Sequence, residues 1–437
     1  MKTALLTLGR LPVALEIARA LHAAGWRVIV AEPLRWHLCR TSRAVARCRT
    51  VTAPDADAER YLDDLLGVAG EEAVSLVVPV SEETMFVAAL HDRLPEGVAL
   101  ACPPQAQLLA LHDKWRFVER ARELGLAVPE TASASSEAGG RLAARGAHVL
   151  KPRLSCSGVG VFVRDEAASL ADDERDDALI VQARLGGEPC CAAALAVDGR
   201  LVSLVTYRSL LEAGSVSVTF ERIGAPAGVR AFVERFVMAS GYGGMIAFDF
   251  IADADGRWHA IECNPRATSG VHLMCSGLLV DVLVRTANAG TSGAQVELEP
   301  RSPPAIGPVP ESAAAPIGAR RQEFWSALAE VEGRFLRSIF ARRNEARVTR
   351  EHWRRLFTTR DVDWSRRDPL PFLLMAFSGL PLVWRAIRAR RPITEVTMSD
   401  MGWHEPVRPL PDRRPVERPV ERPAERPAER SDRERRS

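Results

Sequence analysis

The first part of the chain alternates short apolar runs with helical patterns. Residues 3–8 form an apolar run, residues 13–24 carry apolar side chains at helical spacing, and residues 27–31 form a second apolar run. The order strand, helix, strand predicts a parallel sheet with a right-handed crossover. A further helix and a buried strand continue this pattern as far as Val80. We therefore predict an α/β layer over residues 1–110.

Polar residues follow two of these predicted strands at the points where the strands end. Arg10 lies in the turn after the first strand, and Glu82 and Glu83 follow the strand that ends at Val80. Ligands of open, Rossmann-like parallel sheets bind beyond the carboxyl ends of the strands, so these residues are candidates for a substrate site. The turn at Gly9 lacks the GxGxxG pattern of dinucleotide sites. It is either a plain turn or a helix N-terminus that attracts a carboxylate.

Beyond residue 111 the pattern changes to hairpins and single helices. A helix over 113–125 begins near Lys114, and a hairpin with strands 147–152 and 159–164 has the loop 153–158 at its tip. The elements predicted next are strands 179–183, 190–197 and 200–208, a helix over 229–240, and a hairpin of strands 245–252 and 257–263.

The last third of the chain differs in composition and in the pattern of its apolar residues. Six prolines between Glu299 and Gly318 predict a linker. Apolar residues over 324–339 recur at helical spacing, so this helix packs either on the main body or on a partner. Residues 370–384 form an uncharged run that is followed by arginines and is too short to cross a bilayer. It is either buried in the fold or, through residues 370–391, in contact with a membrane surface.

Charge and cysteine content exclude several classes of protein. The formal net charge is +2, and the Glu-Arg-Pro repeats of residues 407–437, which predict disorder, carry ten arginines against seven acids. The rest of the chain is therefore nearly neutral, and we expect no nucleic-acid partner. The eight cysteines lack metal-ligand spacing and predict reduced thiols in a cytoplasmic protein. The sequence leaves the oligomeric state open.

Lysine is rare in this chain, which makes each lysine informative. Only three of the 58 basic residues are lysines, namely Lys2, Lys114 and Lys151. Lys151 directly precedes a loop whose small residues can place backbone N–H groups and hydroxyls against phosphate oxygens. The loop residues concerned are Ser155, Ser157, Gly158 and Gly160. A compact ammonium group is a good partner for a phosphate, so we predict a phosphate site here.

The final hairpin places three oxygen-bearing side chains on one face. With a two-residue turn at Ala254 and Asp255, the side chains of Asp249, Glu262 and Asn264 project to the same side of the hairpin. Two carboxylates and an amide oxygen suit Mg²⁺ or Mn²⁺. A turn of odd length without a bulge would split the set between the two faces.

These motifs, in this order, resemble the ATP-grasp superfamily of carboxylate–amine ligases. Besides the two lysines and the loop, the resemblance is carried by residues 181–188, by residues 248–250 and by the Asn264-Pro265-Arg266 motif, which is similar to that of carbamoyl-phosphate synthases. It implies an α/β pre-ATP-grasp domain followed by a two-lobed, α+β ATP-grasp domain. With it, the predicted divisions are 1–110 for the first domain and 111–290 for the ATP-grasp domain with its glycine loop at 153–160. The composition of the last third adds 291–319 for the proline-rich linker, 320–406 for an arginine-rich helical region and 407–437 for the tail.

The resemblance also implies roles for individual residues. Lys114 and Lys151 would contact the phosphates of ATP, Asp249, Glu262 and Asn264 would hold Mg²⁺, and Arg266 would stabilise the transferring phosphoryl group. Adenine would contact the hinge of Gln182, Ala183, Arg184 and Leu185, which lacks the usual opening Glu, and Glu188 would bind the ribose. Substrate contacts are expected among Arg10, Glu82, Glu83, Arg208, Ser269 and His272, although His272 is equally suited to a core or capping position.

The implied reaction is the ATP-dependent joining of a small carboxylate to an amine. The carboxylate would be activated as an acyl phosphate, and the loop would exclude water from this intermediate. Two alternatives stay open. The Asn-Pro-Arg motif also fits a carboxyphosphate or carbamoyl-phosphate type of enzyme, and a scaffold could bind nucleotide without turnover. The retained Asp249, Glu262 and Asn264 argue against the scaffold.

Overall fold

The computed structural model describes most of the first two-thirds of the chain and parts of the remainder. The described residues are 2–156, 158–213, 216–289, 314–328, 356–378, 380–389, 396–397 and 399–403. Within them, the strands form three sheets.

The N-terminal sheet is parallel and has helices in its connections. Its strands are β1 (Thr3–Leu6), β2 (Arg27–Glu32), β3 (Arg47–Thr50), β4 (Leu76–Val78) and β5 (Ala99–Leu100). The helices are α1 (Pro12–Ala23), α2 (Ala58–Glu71), α3 (Thr84–Val87) and α4 (Gln105–His112). The strand order β3-β2-β1-β4-β5 and the parallel pairing confirm the predicted Rossmann-like layer. Strand β3 was not predicted because it alternates arginine with Cys48 and Thr50 and has no apolar run.

A small antiparallel sheet follows. The elements here are α5 (Lys114–Glu123), β6 (Thr131–Ser133), α6 (Glu137–Arg145), β7 (His148–Pro152), β8 (Phe162–Arg164) and β9 (Leu179–Ala183). The strand order is β6-β9-β7-β8. Leu142 of α6 packs on Leu150 and Val181 of the sheet and forms a separate small core. This sheet is one lobe of the two-lobed domain.

A larger, mainly antiparallel sheet forms the second lobe. Its strands are β10 (Pro189–Val197), β11 (Arg200–Ala213), β12 (Val216–Ile223), β13 (Gly244–Ala252), β14 (Trp258–Asn264), β15 (Arg320–Gln322) and β16 (Arg360–Asp361). They lie in the order β14-β13-β10-β11-β12-β15-β16. The helices of this part are α7 (Ala227–Ser240) and α8 (Ser276–Ala289). Strand β11 is longer than predicted, and β12 was missed because its alternating Val, Ser and Thr residues form no continuous apolar run.

The C-terminal region joins the large sheet before it turns helical. Strand β15 pairs with β12, and β16 pairs with β15, so a region predicted to be helical also contributes two short strands. The predicted helix over 324–339 is seen at residues 324–328, where Ala327 and Leu328 pack on the main body. Three predicted segments lie outside the described residues. They are the rest of the helix predicted over 324–339, most of the proline-rich linker together with the residue before it (290–313), and the tail 407–437.

The uncharged run 370–384 folds into two helices, α9 (Leu370–Ser378) and the first half of α10 (Leu380–Ala389). Burial in the fold, the first of the two alternatives for this run, is wrong for Leu373, Phe377 and Trp384, whose side chains are exposed. Helix α10 is amphipathic, whereas the residues of α9 from Leu370 to Phe377 are all apolar. Each helix also contacts the body, α9 through Phe372 and α10 through the buried Ala386. Among the residues that the structure describes, no helix combines the length and the apolar content needed to cross a membrane.

We expect the aromatic cluster between α5, α7 and β13 to carry much of the stability of the large lobe. Phe236 is fully buried, and its ring centroid lies 5.5 Å from that of Phe117 and 5.3 Å from that of Phe248. Phe236→Ala should lower the free energy of unfolding by about 3–5 kcal/mol, measured by urea denaturation. Met238→Ala on the exposed side of the same helix should change it by less than about 0.5 kcal/mol. Equal effects of the two changes would contradict this assignment.

Candidate active site

Lys151 lies buried on β7, between the small and the large sheet. Its Nζ donates to Gln182 Oε1 at 2.9 Å and to the carbonyl of Ile261 on β14 at 3.1 Å. Gln182 is held in turn, because its amide donates to Thr131 Oγ1 at 3.1 Å. Burial lowers the pKa of Lys151 to about 8, and the nearby Lys114 ammonium acts in the same direction. Both acceptors are neutral, so the charge of Lys151 is positioned without being neutralised by them.

Lys114 is the first residue of α5 and points toward the same region. Its Nζ donates to the Ser155 carbonyl at 2.6 Å and lies 3.3 Å from Ser155 Oγ and 3.7 Å from Glu262 Oε2. Asp113 fixes the start of the helix as its N-cap and also pairs with Arg153 at 2.5 Å. Asp113 therefore ties the helix that carries Lys114 to the base of the loop.

The loop after Lys151 is built from tight turns. Gly158 and Gly160 have φ angles of +68° and +72°, which glycine adopts without the strain of other residues. A Cβ on Gly160 would also lie 2.8 Å from Pro152 Cγ. The backbone N–H of Val161 donates to the Gly158 carbonyl at 3.2 Å. The predicted phosphate-contacting Ser157 lies outside the described residues.

The carboxylate hairpin has a register different from the predicted one. The predicted two-residue turn at Ala254 and Asp255 is wrong, since Ala252 pairs with Trp258 and the loop between them has five residues. Asp253 organises this loop, because its carboxylate accepts from the N–H groups of Asp255 and Arg257. Continued regularly, this odd register would put Glu262 on the face opposite Asp249.

A bulge restores the shared face. Phe250 pairs with Ala260, but the next pair is Asp249 with Glu262, so Ile261 is the extra residue of β14. The bulged Ile261 is also the residue whose carbonyl accepts from Lys151. The same irregularity thus brings the two carboxylates together and gives the lysine an acceptor.

Asn264 completes the group on this face. Its Nδ2 donates to Asp249 Oδ2 and to Glu262 Oε1, both at 3.2 Å. Burial and the Glu262 charge raise the pKa of Asp249 to about 6. Although burial acts the other way on Glu262, the Lys114 and Lys151 ammonium groups lower its pKa. A cation would relieve the repulsion between the two carboxylates, which is the physical reason that these residues fit one.

The composition of the group limits how a metal could be held. In the described part of the chain there is no cluster of three or more His, Cys, Asp or Glu residues suited to a metal ion. A cation here would rely on Asp249 and Glu262, with further ligands from phosphate or water. The amide oxygen of Asn264 would join them after the amide turns over, because that oxygen accepts from Arg266 and the amide nitrogen faces the carboxylates. That ligand class is typical of Mg²⁺ or Mn²⁺.

Arg266 extends the network to the N-terminal layer. Its guanidinium donates to Asn264 Oδ1 at 3.2 Å and to Glu82 Oε1 at 2.5 Å. Glu82 is fully buried, and among the described residues its second oxygen, Oε2, has no hydrogen-bond partner. His112 Nε2 is 3.8 Å from that oxygen. This oxygen can therefore still accept a hydrogen bond, and a donor group of a substrate could supply it.

Two other candidates at this edge are occupied by internal contacts. Glu83 accepts from the N–H groups of Val80 and Ser81 and from Thr7 Oγ1, at 2.7–2.9 Å. Arg10 donates to Glu32 Oε1 and to Asp400 Oδ1, and Glu32 also accepts from the Gly9 N–H at 2.9 Å. An internal carboxylate therefore contacts the Gly9 turn. These contacts do not favour a substrate role for Arg10 or Glu83.

The remaining substrate candidates, Arg208, Ser269 and His272, make contacts outside the lysine–carboxylate network. Arg208 pairs with Glu221 at 2.8 Å, and His272 Nδ1 lies 3.3 Å from Glu16 Oε2. Ser269 is half-buried at the start of the short 3₁₀ helix Ser269–Leu273, which packs on β10 and β11. The structure therefore does not join Arg208 or His272 to the lysine–carboxylate network.

Two backbone N–H groups of the predicted adenine hinge already make hydrogen bonds within the protein. The N–H of Ala183 donates to the Glu130 carbonyl and that of Arg184 to the Ala147 carbonyl, and the Arg184 side chain pairs with Asp165. Leu185 is half-buried and Glu188 is exposed. These two N–H groups are therefore not available for the predicted contact between adenine and the hinge.

Several contributors were not identified from the sequence. Cys191 on β10 pairs with Asp249, and Tyr207 on β11 pairs with Cys191, so the row of side chains from Glu262 continues across the sheet. Gly187 approaches so closely that a Cβ would lie 2.2 Å from the Ala252 carbonyl oxygen. Of these contributions, only the role of Asp113 could have been predicted, because an Asp directly before a helix is a typical N-cap. The other contacts depend on strand pairing that no local pattern shows.

Comparisons with known proteins agree with this architecture. Residues 111–270 match the family described as ATP-grasp domain, so the chain carries an ATP-grasp domain. No curated protein gives a significant match to the chain.

Solved structures share the fold at low sequence identity. The chain is similar to a biotin carboxylase from Campylobacter jejuni, with 14% identity, a TM-score of 0.54 and coverage of 73% of this chain and 74% of that chain. It is also similar to an L-amino acid ligase from Bacillus licheniformis, with 16% identity, a TM-score of 0.50 and coverage of 65% and 74%. The match to Rhizobium etli pyruvate carboxylase, with 16% identity and a TM-score of 0.52, covers 66% of this chain but only 28% of that chain.

We expect the carboxylate pair to cost stability in the absence of a cation. Because the pKa of Asp249 is raised from 3.8 to about 6, the folded state binds the proton more tightly than the unfolded state. The stability that this provides is present at low pH and is lost as pH rises through about 6. Asp249→Asn should therefore raise the free energy of unfolding at pH 7 by about 1–2 kcal/mol, with a gain that shrinks toward about pH 4.

Urea denaturation across this pH range, without divalent cations, measures the effect. Asp255→Asn, in the exposed turn of the same hairpin, is the matched control and should show no such gain. An Asp249→Asn variant no more stable than the wild type at neutral pH would contradict the assignment.

Proposed function

We propose that this chain, whose residues 111–270 form an ATP-grasp domain, is an ATP- and Mg²⁺-dependent ligase that joins a small carboxylate to an amine. The observation that carries the proposal is one continuous network between the lobes. It runs from Ser155 through Lys114, Glu262, Asn264 and Arg266 to Glu82. Cations and carboxylates that could hold a metal ion meet there, and such groups stabilise the charge of a moving phosphoryl group.

The two lysines are suited to the phosphates of ATP. Their closest hydrogen-bond acceptors are carbonyl, hydroxyl or amide oxygens, so their charges remain available to an anion. The loop at 153–160, with Ser155, Ser157, Gly158 and Gly160, would cover the phosphates and exclude water. Adenine would lie along Gln182–Leu185 and contact groups other than the engaged N–H groups, and the exposed Glu188 would bind the ribose hydroxyls.

Asp249, Glu262 and Asn264 would hold the metal ion. When bound, Mg²⁺ contributes positive charge beside the phosphate oxygens as the phosphoryl group moves. The protein's own contribution is to keep the two carboxylates ionised and together. Before a metal ion binds, the hydrogen bonds from Asn264 and the nearby Lys114 ammonium group serve this purpose.

The reaction then has two steps. A carboxylate oxygen of the substrate bonds to the γ-phosphorus, ADP leaves, and an acyl phosphate results. The amine nitrogen next bonds to the acyl carbon, phosphate leaves, and the nitrogen loses a proton. Arg266 would stabilise the negative charge of the acyl phosphate, and Glu82 Oε2 would accept a hydrogen bond from the amine.

Removing either half of the network should abolish turnover. Lys151→Ala deletes a phosphate contact, and Glu262→Ala deletes a metal ligand, so we expect each to lower the rate by at least about 100-fold with an intact fold. The measurement is ADP and phosphate release with ATP, Mg²⁺ and pools of small acids and amines. Mass spectrometry of the pools identifies the condensation product. Lys2→Ala, at the third lysine, is the matched control and should retain full activity.

The same assay separates the competing functions. Release of ADP that depends on bicarbonate would assign the chain to the carboxyphosphate type instead. Nucleotide binding without any ADP release would support a scaffold. Wild-type rates in Lys151→Ala or Glu262→Ala would contradict the site itself.

Nucleotide affinity should also depend on pH through Lys151. Its pKa of about 8 in the free protein means that the ammonium group deprotonates above that pH, whereas a bound phosphate favours the protonated form. The Kd for ADP should therefore rise by up to about tenfold per pH unit above about pH 8. Isothermal titration calorimetry measures this slope, which Lys151→Met should flatten and Lys2→Met should retain. A wild-type Kd that is flat over this range would contradict the assignment.

A further inference from the structure

Helix α9 presents an apolar stripe to the surface. Its exposed apolar residues recur at i, i+3, i+4 and i+7 and are Leu370, Leu373, Leu374 and Phe377. Such spacing puts them on one face of the helix. Phe377 is 67% exposed. This stripe is larger than the isolated surface apolar residues of an ordinary soluble protein.

The stripe is exposed although the helix itself is firmly packed. On its other side, Trp325 Nε1 donates to the Phe372 carbonyl at 2.9 Å. The Phe372 ring lies 5.6 Å from that of Phe324 and 5.4 Å from that of Trp364. Because α9 is docked through Phe372, the protein holds the stripe outward in a defined orientation.

Helix α10 continues the exposed apolar surface. Its outward residues are Val383, Trp384 and Ile387, of which Trp384 is 61% and Ile387 71% exposed. Ala386 is buried on the other side, so α10 is also docked. We call the exposed apolar residues of α9 and α10, taken together, the C-terminal apolar face.

The charged residues of the segment that carries this face all have one sign, although one of them, Arg385, also pairs with Asp400 of a later segment. Between Asp368 and Glu395 the chain has four arginines and no acidic residue. The guanidinium of Arg388 lies over the Trp384 ring, 5.1 Å from its centroid. A second pair of this kind, Arg40 over Trp36 at 5.3 Å, lies at the short 3₁₀ helix Leu38–Thr41, on which α9 packs. Exposed tryptophans with arginines are typical of surfaces that meet lipid headgroups.

We propose that the C-terminal apolar face docks this chain on the surface of a membrane that contains anionic lipids. The apolar side chains would enter the boundary between headgroups and acyl chains, and the arginines would contact lipid phosphates. A second copy of the chain fits less well, because a two-fold contact sets the same arginines against each other. The two helices have nine and ten residues, so they lie on the surface and do not cross it.

Vesicle flotation with the full-length protein tests this proposal. We expect binding to phosphatidylcholine vesicles that contain about 30% phosphatidylglycerol, weakening with added salt, and at least about tenfold weaker binding to pure phosphatidylcholine. Phe377→Glu/Ile387→Glu should reduce binding at least about tenfold, whereas Phe377→Leu/Ile387→Leu should retain it. The matched control is Met238→Glu, at a residue that is 68% exposed on α7, and it should bind like the wild type.

Four outcomes would overturn the proposal. One is a wild-type protein that fails to float with anionic vesicles. Another is equal binding by Phe377→Glu/Ile387→Glu, with thermal unfolding showing that the variant is folded. The third is a wild-type dimer in sedimentation analysis that Phe377→Glu/Ile387→Glu dissociates without any vesicle binding, which would assign the face to a second copy. Loss of thermal stability in that variant, again without vesicle binding, would assign it to another segment of the chain.

Discussion

The strongest constraint in this molecule is that two carboxylates on neighbouring strands share one small space with two ammonium groups. Asp249 and Glu262 face each other, and Lys114 lies 3.7 Å from Glu262. The balance is uneven, since the pKa of Glu262 is lowered while that of Asp249 is raised. A fully balanced set would be an inert buried ion pair. The remaining repulsion favours a cation, and the lysines favour an anion, so the site is prepared for both together.

The surrounding residues maintain this imbalance by using neutral acceptors. Lys151 is oriented by an amide oxygen and a backbone carbonyl, and Lys114 by a backbone carbonyl and a hydroxyl. Hydrogen bonds of this kind fix the direction of an ammonium group without bringing a negative charge to it. The negative charge beside Lys114 is that of Glu262 in the carboxylate hairpin, at 3.7 Å. Arg266 is the contrasting case, because it is paired with Glu82. One Glu82 oxygen nevertheless lacks a partner, so this pair also retains capacity for a ligand.

The sequence predicted the members of this site better than the way in which they meet. The rarity of lysine, together with the loop that follows Lys151, indicated Lys114 and Lys151 but not Lys2. The parallel N-terminal layer followed from its apolar periodicity. The shared face of Asp249 and Glu262 was predicted from a turn that does not exist. A five-residue loop and a bulge at Ile261 together produce the same result. Bulges depend on tertiary pairing, and so do the partners of Arg10 and Glu83, which are distant in sequence or supplied by the backbone. Local sequence patterns therefore indicate which residues form the site but not the strand pairing that brings them together.

The C-terminal region connects the exposed helices to the interior through alternating charges. Arg385 of α10 lies 3.2 Å from Asp400, which in turn contacts Arg10 at 2.6 Å, and Arg10 is held by Glu32. Arg10 and Glu32 are buried, where breaking one member of such a chain leaves an unpaired charge at high cost. The middle of α10 is therefore anchored, through Asp400, to the loop that follows β1 and to the last residue of β2. An anchor of this kind explains how a helix with a largely apolar outer surface keeps a fixed orientation, because its position does not depend on burying that surface.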